Sequence, residues 1–414
     1  MPCAPRQATA DSGAGDAIAL QGSGRPRGEK VKGDAAATSG VARPHGAPHL
    51  FHPLCGSNLA TLVPLLLGNG PLAPTHFARG ALALVASVLR LPSTTLERIA
   101  VALVRRRRPP MPAPLFIIGH WRSGTTHVHN VLSRAPRFGH IPPLAAGLPW
   151  ELLGLVRLSR PWLERALPVN RYVDNVAVDP DSPQEDSIAL ANMLPLSYYH
   201  GIYFPRRFEH HFWRGVFFEG CSPRERRRWQ QRFVYLLEKV SIDQRARPLL
   251  VKNPVYTAHV PMVRELWPDA RFVHVYRDPY RVFPSTRHFY RTLLAELALQ
   301  GFDMVDLDAL ILKGYVRMME TFYRDLPGLP EGSLVEVRFE DFEQAPLEEL
   351  ARVYESLGLE DFARDRSRFE AYLQGTAEYR QNRYRVTADD VRRVERHWGG
   401  FARRWGYAAP TPGP

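Results

Sequence analysis

A short unbroken apolar run at residues 115–118 is followed by a glycine-rich loop and then by a change in hydrophobic period. The run LFII contains β-branched side chains and no polar one, which predicts a strand buried on both faces. After Gly124, side chains that can face a core recur at helical spacing. These positions are Thr125, Val128, Val131 and Leu132. The pattern therefore predicts a strand, a tight loop and a helix within residues 114–133.

The rest of the chain repeats this alternation of short apolar runs and longer amphipathic segments. Three further runs predict strands at residues 249–251, 272–276 and 334–339. Helical spacing predicts helices between and after these strands. They are expected at residues 224–246, 293–323 and 347–359, and around Val391, Val394 and Trp398. Such alternation predicts an α/β fold with three layers around a central, mostly parallel sheet.

The segment that precedes the first strand is apolar but interrupted. Pro64 and Pro92 break its apolar runs, so neither run supplies the roughly 20 apolar residues that a membrane-spanning helix needs. We expect a shorter helix at residues 96–104, which ends at the arginine run 105–108. Its candidate N-caps are Ser93, Thr94 and Thr95. Two interpretations stay open: an arm packed on the main domain, or a helix at a membrane surface steered by the arginines.

The first 48 residues differ in composition from everything that follows. They are rich in Ala, Gly, Pro, Ser and Arg and have almost no aromatic or β-branched clusters to bury. We therefore predict a disordered tail at residues 1–48, a helical arm at residues 49–112 and the main domain at residues 113–409.

Composition and charge narrow the function only partly. The chain has 414 residues with 45% hydrophobic and 23% charged side chains, as in ordinary globular proteins, but its net charge is +12. That charge suits polyanionic ligands, nucleic acid and acidic membranes alike. Cys3, Cys55 and Cys221 are too few and too scattered for a disulfide framework or a zinc site. A reducing compartment, the cytoplasm, is the simpler expectation.

The loop after the first strand has the composition of an anion site. Backbone N–H groups and the positive end of a helix dipole converge at such a strand-to-helix turn. Compared with the Walker signature, Thr125 takes the place of the lysine, and Arg122 lies within the loop. Arg122 offers a fork of donors to oxyanions, and hydroxyls at Ser123, Thr125 and Thr126 add to them. A glycine pair alone would fit a packing turn equally well, but these donors favour anion binding.

Two later motifs also carry cationic groups at the ends of predicted strands. Lys252 ends the strand at 249–251, where ligands bind in open α/β sheets. Arg277 follows the strand at 272–276, and Ser285 lies eight residues beyond it on the next helix. A guanidinium can contact a phosphate dianion with two hydrogen bonds, and a hydroxyl can add a further donor.

Together these motifs resemble those of the sulfotransferases. GHWRSGTT resembles the 5′-phosphosulfate loop of that family, KNP its lysine motif, and Arg277 with Ser285 its 3′-phosphate motif. The resemblance is to the branch that includes bacterial and protein-tyrosine sulfotransferases. It implies a P-loop NTPase-like domain that transfers a sulfuryl group from 3′-phosphoadenosine 5′-phosphosulfate to a hydroxyl or amine, without a metal.

The resemblance also implies the site residues. Arg122 and Lys252 would stabilise the charge of the transferring group. The donor would be bound by Gly119, His120, Trp121, Arg122, Ser123, Gly124, Thr125, Thr126, Arg277, Ser285 and Arg383. Arg383 belongs to a basic loop with Arg380 and Arg385, and an exposed basic face is an equally good interpretation of each of these arginines.

The general base is harder to identify. Related sulfotransferases often carry a carboxylate in the segment after the loop helix, but here that segment has His140 and no acid. The stretch SPQED resembles an acceptor-side element of this branch, which makes Glu185 our first choice, ahead of Asp186 and His140. The same stretch also fits an ordinary helix start with Ser182 as the N-cap.

The acceptor and the rival functions stay open at this stage. Aromatic side chains are dense at residues 194–205 and 210–218, as in a protein core or in a pocket for an apolar, lipid-like alcohol. Carbohydrate and peptide acceptors are alternatives. A P-loop kinase or triphosphatase is disfavoured by Thr125 at the lysine position. A basic protein that binds membranes or nucleic acid would leave the ordered phosphate motifs unexplained, so we expect no nucleic-acid partner.

Overall fold

A four-stranded, all-parallel sheet organises the described part of the protein. The computed structural model describes residues 51–165, 179–376 and 384–411. The strand order is β2-β1-β3-β4. The strands are β1 (Leu115–Ile118), β2 (Leu250–Lys252), β3 (Arg271–Tyr276) and β4 (Leu334–Arg338). The expected α/β fold with a parallel sheet is therefore confirmed, and the predicted strands differ from the observed ones by at most one residue at either end.

Helices make up most of the remaining described chain. The α-helices are α1 (Leu59–Gly68), α2 (Phe77–Leu89), α3 (Leu91–Arg105), α4 (Thr125–Leu132), α5 (Pro143–Gly147), α6 (Leu155–Arg165), α7 (Ser187–Met193), α8 (Tyr199–Tyr203), α9 (Phe208–Phe217), α10 (Pro223–Asp243), α11 (Val260–Leu266), α12 (Pro279–Leu297), α13 (Leu307–Asp325), α14 (Phe339–Gln344), α15 (Pro346–Ser356), α16 (Phe362–Gly375) and α17 (Ala388–Arg404). Short 3₁₀ turns at Pro53–Gly56, Pro74–His76, Pro205–Arg207, Pro254–Ala258 and Leu326–Gly328 connect some of them.

The sheet lies between two hydrophobic cores, which makes the three layers. Successive side chains of a strand point to opposite faces. Phe116 and Ile118 of β1 pack in a core shared with α10, whereas Leu115 and Ile117 pack in a core shared with α4, α15 and α16. All four side chains of this strand are buried, which explains its uninterrupted apolar run.

A third core is rich in aromatic residues. It joins α1 and α2 to α8, α9, α12, α13 and α17. Tyr198, Tyr203, Phe204 and Phe212 are all buried there. Core packing is thus the main role of the aromatic-rich stretches 194–205 and 210–218.

The helical arm differs in detail from its prediction. Pro64 lies inside α1 rather than ending it, because burial of the neighbouring Thr61, Leu62 and Leu65 holds that helix together. The second break does fall before Pro92, since α2 ends at Leu89 and α3 starts at Leu91.

The predicted caps of the third arm helix are wrong. Proline is tolerated in the first turn of a helix, so α3 starts with Pro92 inside it and takes Arg90 as its N-cap. Thr94 is buried, and its hydroxyl donates a hydrogen bond to Glu151 instead of capping the helix.

The helix start predicted at Ser182 is also wrong. Helix α7 starts at Ser187 with Asp186 as its N-cap residue, and the preceding residues, including Glu185, are not helical. The predicted tail, residues 1–48, and two of the predicted basic-loop residues, Arg380 and Arg383, lie outside the described residues. The division into tail, arm and main domain stays a prediction.

A buried ion pair fixes the arm to the layer of helices beside the sheet. Lys239 of α10 is fully buried, and its ammonium group lies 2.5 Å from the Glu97 carboxylate of α3. It also donates hydrogen bonds to the carbonyl oxygens of Pro149 and Trp150, at 2.7 and 2.9 Å. Burial lowers the pKa of Lys239, and the neighbouring Glu97 opposes that shift. The pair therefore depends on both partners.

We expect Glu97→Ala to lower the free energy of unfolding by about 3–5 kcal/mol, because it leaves the Lys239 ammonium buried without its counter-charge. Urea unfolding followed by circular dichroism measures this loss. The matched control is Glu370→Ala, which removes an exposed pair with Arg366 and should change stability by less than about 1 kcal/mol. Equal effects of the two variants would show that the buried pair does not hold the arm.

Candidate active site

The loop between β1 and α4 is shaped by close approach to strand β3 and to the start of helix α14. Gly119, Arg122 and Gly124 have positive φ angles of 137°, 68° and 96°. A Cβ atom on Gly119 would lie 2.2 Å from the carbonyl oxygen of Val275, and one on Gly124 would lie 2.0 Å from the ring of Phe339. Both glycines are therefore required for the loop to pack at this edge of the sheet. Arg122 adopts a conformation that is unusual for a residue with a side chain.

Hydrogen bonds hold the loop in this conformation. The Gly119 N–H donates to Thr257 Oγ1 at 2.7 Å, and the Ser123 hydroxyl donates to the His120 carbonyl at 2.8 Å. Burial lowers the pKa of His120 to about 3, so this ring is neutral. Trp121 is buried in the aromatic core, where its Nε1 lies 3.3 Å from the Tyr198 hydroxyl. His120 and Trp121 can thus offer a ligand their backbone, whereas their side chains serve packing.

The two predicted phosphate motifs meet in the fold. Arg122 Nε donates a hydrogen bond to Ser285 Oγ at 3.0 Å, which joins the loop after β1 to helix α12 after β3. Ser285 is buried on the first half of that helix. Residues 163 positions apart in sequence therefore share one corner of the site.

Arg277 adds a second guanidinium at the same edge. Its guanidinium carbon lies 4.6 Å from the centre of the Phe339 ring, in a cation–π arrangement. Burial lowers the pKa of Arg277, the charges of Glu340 and Glu343 oppose that shift, and the nearby charges of Arg281 and Arg122 add to it. The arginines repel each other, and an anion between them would relieve that repulsion.

Lys252 lies at the carboxyl end of β2, next to the loop. Its ammonium group donates to Thr126 Oγ1 at 3.2 Å and to Glu185 Oε1 at 2.5 Å. Lys252 is almost fully buried, whereas the Glu185 side chain is 20% exposed to solvent. The predicted lysine and the first-choice base are thus in direct contact, and Glu185 is the more accessible of the two.

The other two candidate bases have structural partners. Asp186 is fully buried and accepts hydrogen bonds from Asn253 Nδ2, at 2.7 Å, and from the Tyr256 hydroxyl. Burial raises the pKa of Asp186 to about 6, and these two donors oppose the rise. His140 Nε2 lies 2.7 Å from the Asp181 carbonyl, which ties the ring to the loop before Ser182. These contacts favour Glu185 over both.

The basic loop near the C-terminus is only partly described. Arg385 is exposed. The ring of its neighbour Tyr384 contacts the ring of His288 of α12 in a tilted arrangement, with the ring centres 5.0 Å apart. His288 follows Ser285 by three residues, so the chain passes beside the corner that holds Ser285 and Arg122.

Three residues that position this site were missed by the sequence analysis. Phe339 packs against both Gly124 and Arg277, Thr257 accepts from Gly119, and Asn253 holds Asp186 and Ser187. Asn253 belongs to the KNP motif, so its proximity to Lys252 was the one available signal. The contacts of Phe339 and Thr257 arise only from the fold. In the described ranges, no group of three or more His, Cys, Asp or Glu side chains is arranged to hold a metal ion.

This geometry defines a P-loop-like α/β protein whose loop amides, two arginines and one lysine converge at the carboxyl edge of a parallel sheet. The sequence profile of the sulfotransferase family matches residues 114–364. Omega-hydroxy-beta-dihydromenaquinone-9 sulfotransferase Stf3, from Mycobacterium bovis and from Mycobacterium tuberculosis, is 31% identical to this chain over 301 residues, which are 73% of this chain and 77% of the relative. The chain belongs to the sulfotransferase family.

Solved structures agree on the fold. Sulfotransferase STF9 from Mycobacterium avium superposes with a TM-score of 0.63 at 16% identity, covering 86% of this chain and 92% of that one. Sulfotransferase STF1 from Mycobacterium tuberculosis gives a TM-score of 0.52 at 17% identity, covering 82% and 91%. As a member of the sulfotransferase family, the protein is an enzyme that transfers a sulfuryl group from a sulfate donor to a hydroxyl-bearing acceptor.

We expect Gly124→Ala to destabilise the protein by about 2–5 kcal/mol, because the new methyl group must displace the buried Phe339 ring at a positive φ. Urea unfolding measures the change. Gly147→Ala is the matched control, since nothing lies within 4 Å of a Cβ atom there. Wild-type stability of the Gly124 variant would contradict the tight packing of the loop.

Proposed function

We propose that the sulfate donor is 3′-phosphoadenosine 5′-phosphosulfate and that the acceptor is the hydroxyl of an apolar, lipid-like molecule. The observation that carries the donor assignment is the contact between Arg122 and Ser285, which unites the two phosphate motifs in one site. A donor with phosphates at both ends of its ribose needs two anion sites at a fixed separation, and the family resemblance implies this donor.

The two ends of the donor would be held by different elements. The loop amides, the hydroxyls of Ser123, Thr125 and Thr126 and the N-terminus of α4 would bind the 5′-phosphosulfate. Arg277 and Ser285 would bind the 3′-phosphate, since a guanidinium and a hydroxyl match a dianion. We keep Arg383 as a further ligand of the nucleotide. The ring contact between the adjacent Tyr384 and His288 supports this assignment, because it brings the chain beside Ser285.

The transfer would proceed in line at sulfur. The acceptor oxygen forms a bond to sulfur as the bond between sulfur and the phosphate oxygen breaks, and 3′-phosphoadenosine 5′-phosphate leaves. Arg122 and Lys252 would stabilise the negative charge that develops on the bridging and sulfuryl oxygens. Because the transition state is loose, positioning and electrostatics account for most of the catalysis.

Glu185 would take the proton of the acceptor hydroxyl. Its 2.5 Å contact with Lys252 supports this role, since it holds a carboxylate beside the group that stabilises the sulfuryl oxygens. Lys252 can turn toward the donor oxygens while Glu185 turns toward the hydroxyl. Asp186, the last residue of the stretch SPQED, would act as a positioning residue, because hydrogen bonds from Asn253 and Tyr256 hold it in place next to Glu185.

The surroundings of Glu185 support an apolar acceptor. Burial raises the pKa of Tyr198 and of Tyr290 well above its usual value, and the charge of Glu185 adds to both shifts. Glu185 is therefore close enough to these buried tyrosines for its charge to act on them, and its side chain is still 20% exposed. The curated relatives are named for an omega-hydroxy-beta-dihydromenaquinone, which is consistent with a lipid-like alcohol. Peripheral contact with a membrane is part of this proposal, as is a reducing, cytoplasmic setting.

We expect Arg277→Ala to weaken binding of 3′-phosphoadenosine 5′-phosphate about 10- to 100-fold, because a buried guanidinium that pairs with a dianion is lost. Ser285→Ala should weaken it about fivefold, through the loss of one hydrogen bond. Isothermal titration calorimetry without metal measures both dissociation constants.

Arg291→Ala is the matched control for these variants. Arg291 is exposed on the helix that carries Ser285, and its loss should change affinity less than about twofold. Preference for ATP with magnesium over the bisphosphate would favour a kinase instead. Equal loss in all three variants would contradict the assignment of the 3′-phosphate site.

We expect Glu185→Gln to lower kcat by about 10²–10⁴-fold with little change in the affinity for the bisphosphate, because the amide keeps a contact to Lys252 but cannot accept the proton. Sulfate transfer to a panel of long-chain alcohols measures the rate. Asp181→Asn, an exposed acid in the same segment, is the matched control and should keep wild-type activity. A wild-type rate for the Glu185 variant would exclude this residue as the base.

A further inference from the structure

The helical arm exposes many large apolar side chains. On α2 and α3 these are Phe77, Leu84, Val85, Val88, Leu89, Leu91, Leu96, Ile99, Leu103 and Val104. Single exposed apolar residues are ordinary on protein surfaces, but a succession of them along two consecutive helices is not. It marks the outer side of the arm as an interaction surface, which we call the arm face.

The arm face lies on the opposite side of α2 and α3 from the residues that these helices bury against the rest of the protein. Helix α2 buries Ala83 and Ser87, and α3 buries Thr94, Glu97 and Val101. These inward residues recur at helical spacing, so the exposed apolar residues occupy the other sides of the same helices. The exposed residues of the arm are therefore not part of the core.

The charged side chains of the arm itself are almost all positive. Between residues 51 and 115 the only acid is Glu97, and it is buried in its pair with Lys239. Arg105, the last residue of α3, pairs with Glu238 of α10 at 2.5 Å, whereas Arg106, Arg107 and Arg108 follow the helix and are exposed. An apolar helical face next to clustered arginines complements a surface with an apolar interior and anionic headgroups. Among the residues that the structure describes, no helix is long and apolar enough to cross a membrane.

A second copy of this chain fits the arm face less well. Two copies that met through this face would bring their arginine runs together, with no exposed acid on either arm to pair with them. Like charges that meet at an interface oppose association. The charge pattern therefore favours an anionic lipid surface over self-association.

Hydrogen bonds link the inner side of the arm to the helix that follows Glu185. The Ser87 hydroxyl of α2 donates to the Ser57 carbonyl at 2.7 Å, and the Ser57 hydroxyl donates to Asn192 Oδ1 at 2.8 Å. Asn192 belongs to α7, which starts two residues after Glu185. The helices that would touch lipid are thus fixed to the helix beside the proposed base.

We propose that the arm face docks on the surface of an anionic bilayer and thereby places the acceptor side of the active site next to the lipid that carries the acceptor hydroxyl. The apolar side chains of α2 and α3 enter the headgroup region while the arginine run pairs with lipid phosphates. This inference rests on the proposed function for the identity of the acceptor, but the docking itself is a separate property of the arm.

The test is co-sedimentation of the full-length protein with vesicles of phosphatidylcholine, with and without phosphatidylglycerol. We expect binding that needs the anionic lipid and falls as salt is raised. Reversal of three charges in Arg106→Glu/Arg107→Glu/Arg108→Glu should lower the partition coefficient at least about tenfold. Leu96→Glu should lower it several-fold, because Leu96 is 68% exposed on the arm face.

Two matched variants separate docking from general effects of charge. Arg364→Glu/Arg366→Glu/Arg368→Glu makes the same change of net charge on α16, which packs on the opposite side of the sheet from α10. Met304→Glu introduces the same acid at an apolar residue that is 71% exposed outside the arm. Both controls should bind vesicles as the wild type does.

The remaining outcomes are decisive against the proposal. It is overturned if wild-type protein ignores anionic vesicles, if the α16 control loses as much binding as the arm variant, or if Leu96→Glu instead dissociates a dimer. Titration with 3′-phosphoadenosine 5′-phosphate on the same samples keeps the two proposals apart. Nucleotide binding without vesicle binding would contradict only the proposed membrane docking. Vesicle binding without nucleotide binding would contradict only the proposed sulfate donor.

Discussion

The structure depends on the accumulation of positive charge at one edge of a parallel sheet. Arg122, Arg277 and Lys252 arrive from three different strands and lie within or beside one loop. Partial burial makes their mutual repulsion more costly than it would be at a surface. The protein offsets this cost with the Phe339 ring under Arg277 and the Glu185 carboxylate on Lys252. A bound polyanion would offset it further, so the features that strain the site also suit it to its donor.

Tight packing around the loop holds these charged groups in position. The side chains of the sheet alternate between two cores, so the functional side chains lie at or just after the carboxyl ends of β1, β2 and β3. Gly119 and Gly124 let the loop press against Val275 and Phe339. Asp186, held by Asn253 and Tyr256, fixes the segment that presents Glu185. Catalysis that relies on positioning requires this kind of support.

The helical arm has an inner side that is fixed to the domain and an outer side that is exposed. Its inner side is held by a buried ion pair, Glu97 with Lys239, and by hydrogen bonds through Ser57 to α7. Its outer side is apolar and bounded by arginines. A transferase for a lipid-like alcohol must bring a polar donor and an apolar acceptor to one point. The loop would bind the polar donor, and the arm would bring the site to the apolar acceptor.

The sequence by itself determined the strands, the order of the phosphate motifs and the class of the protein. Buried parallel strands need uninterrupted apolar runs, and anion loops need glycines and donors at fixed spacing, so both leave local signals. The predicted start of α7 and the predicted N-caps of α3 were wrong, because proline is compatible with several positions near a helix end. Only the tertiary structure decided which acid adjoins Lys252, that Arg122 and Ser285 touch, and that Phe339 supports the loop. These contacts join residues far apart in the chain, and no local pattern of side chains specifies which distant partner a residue will meet.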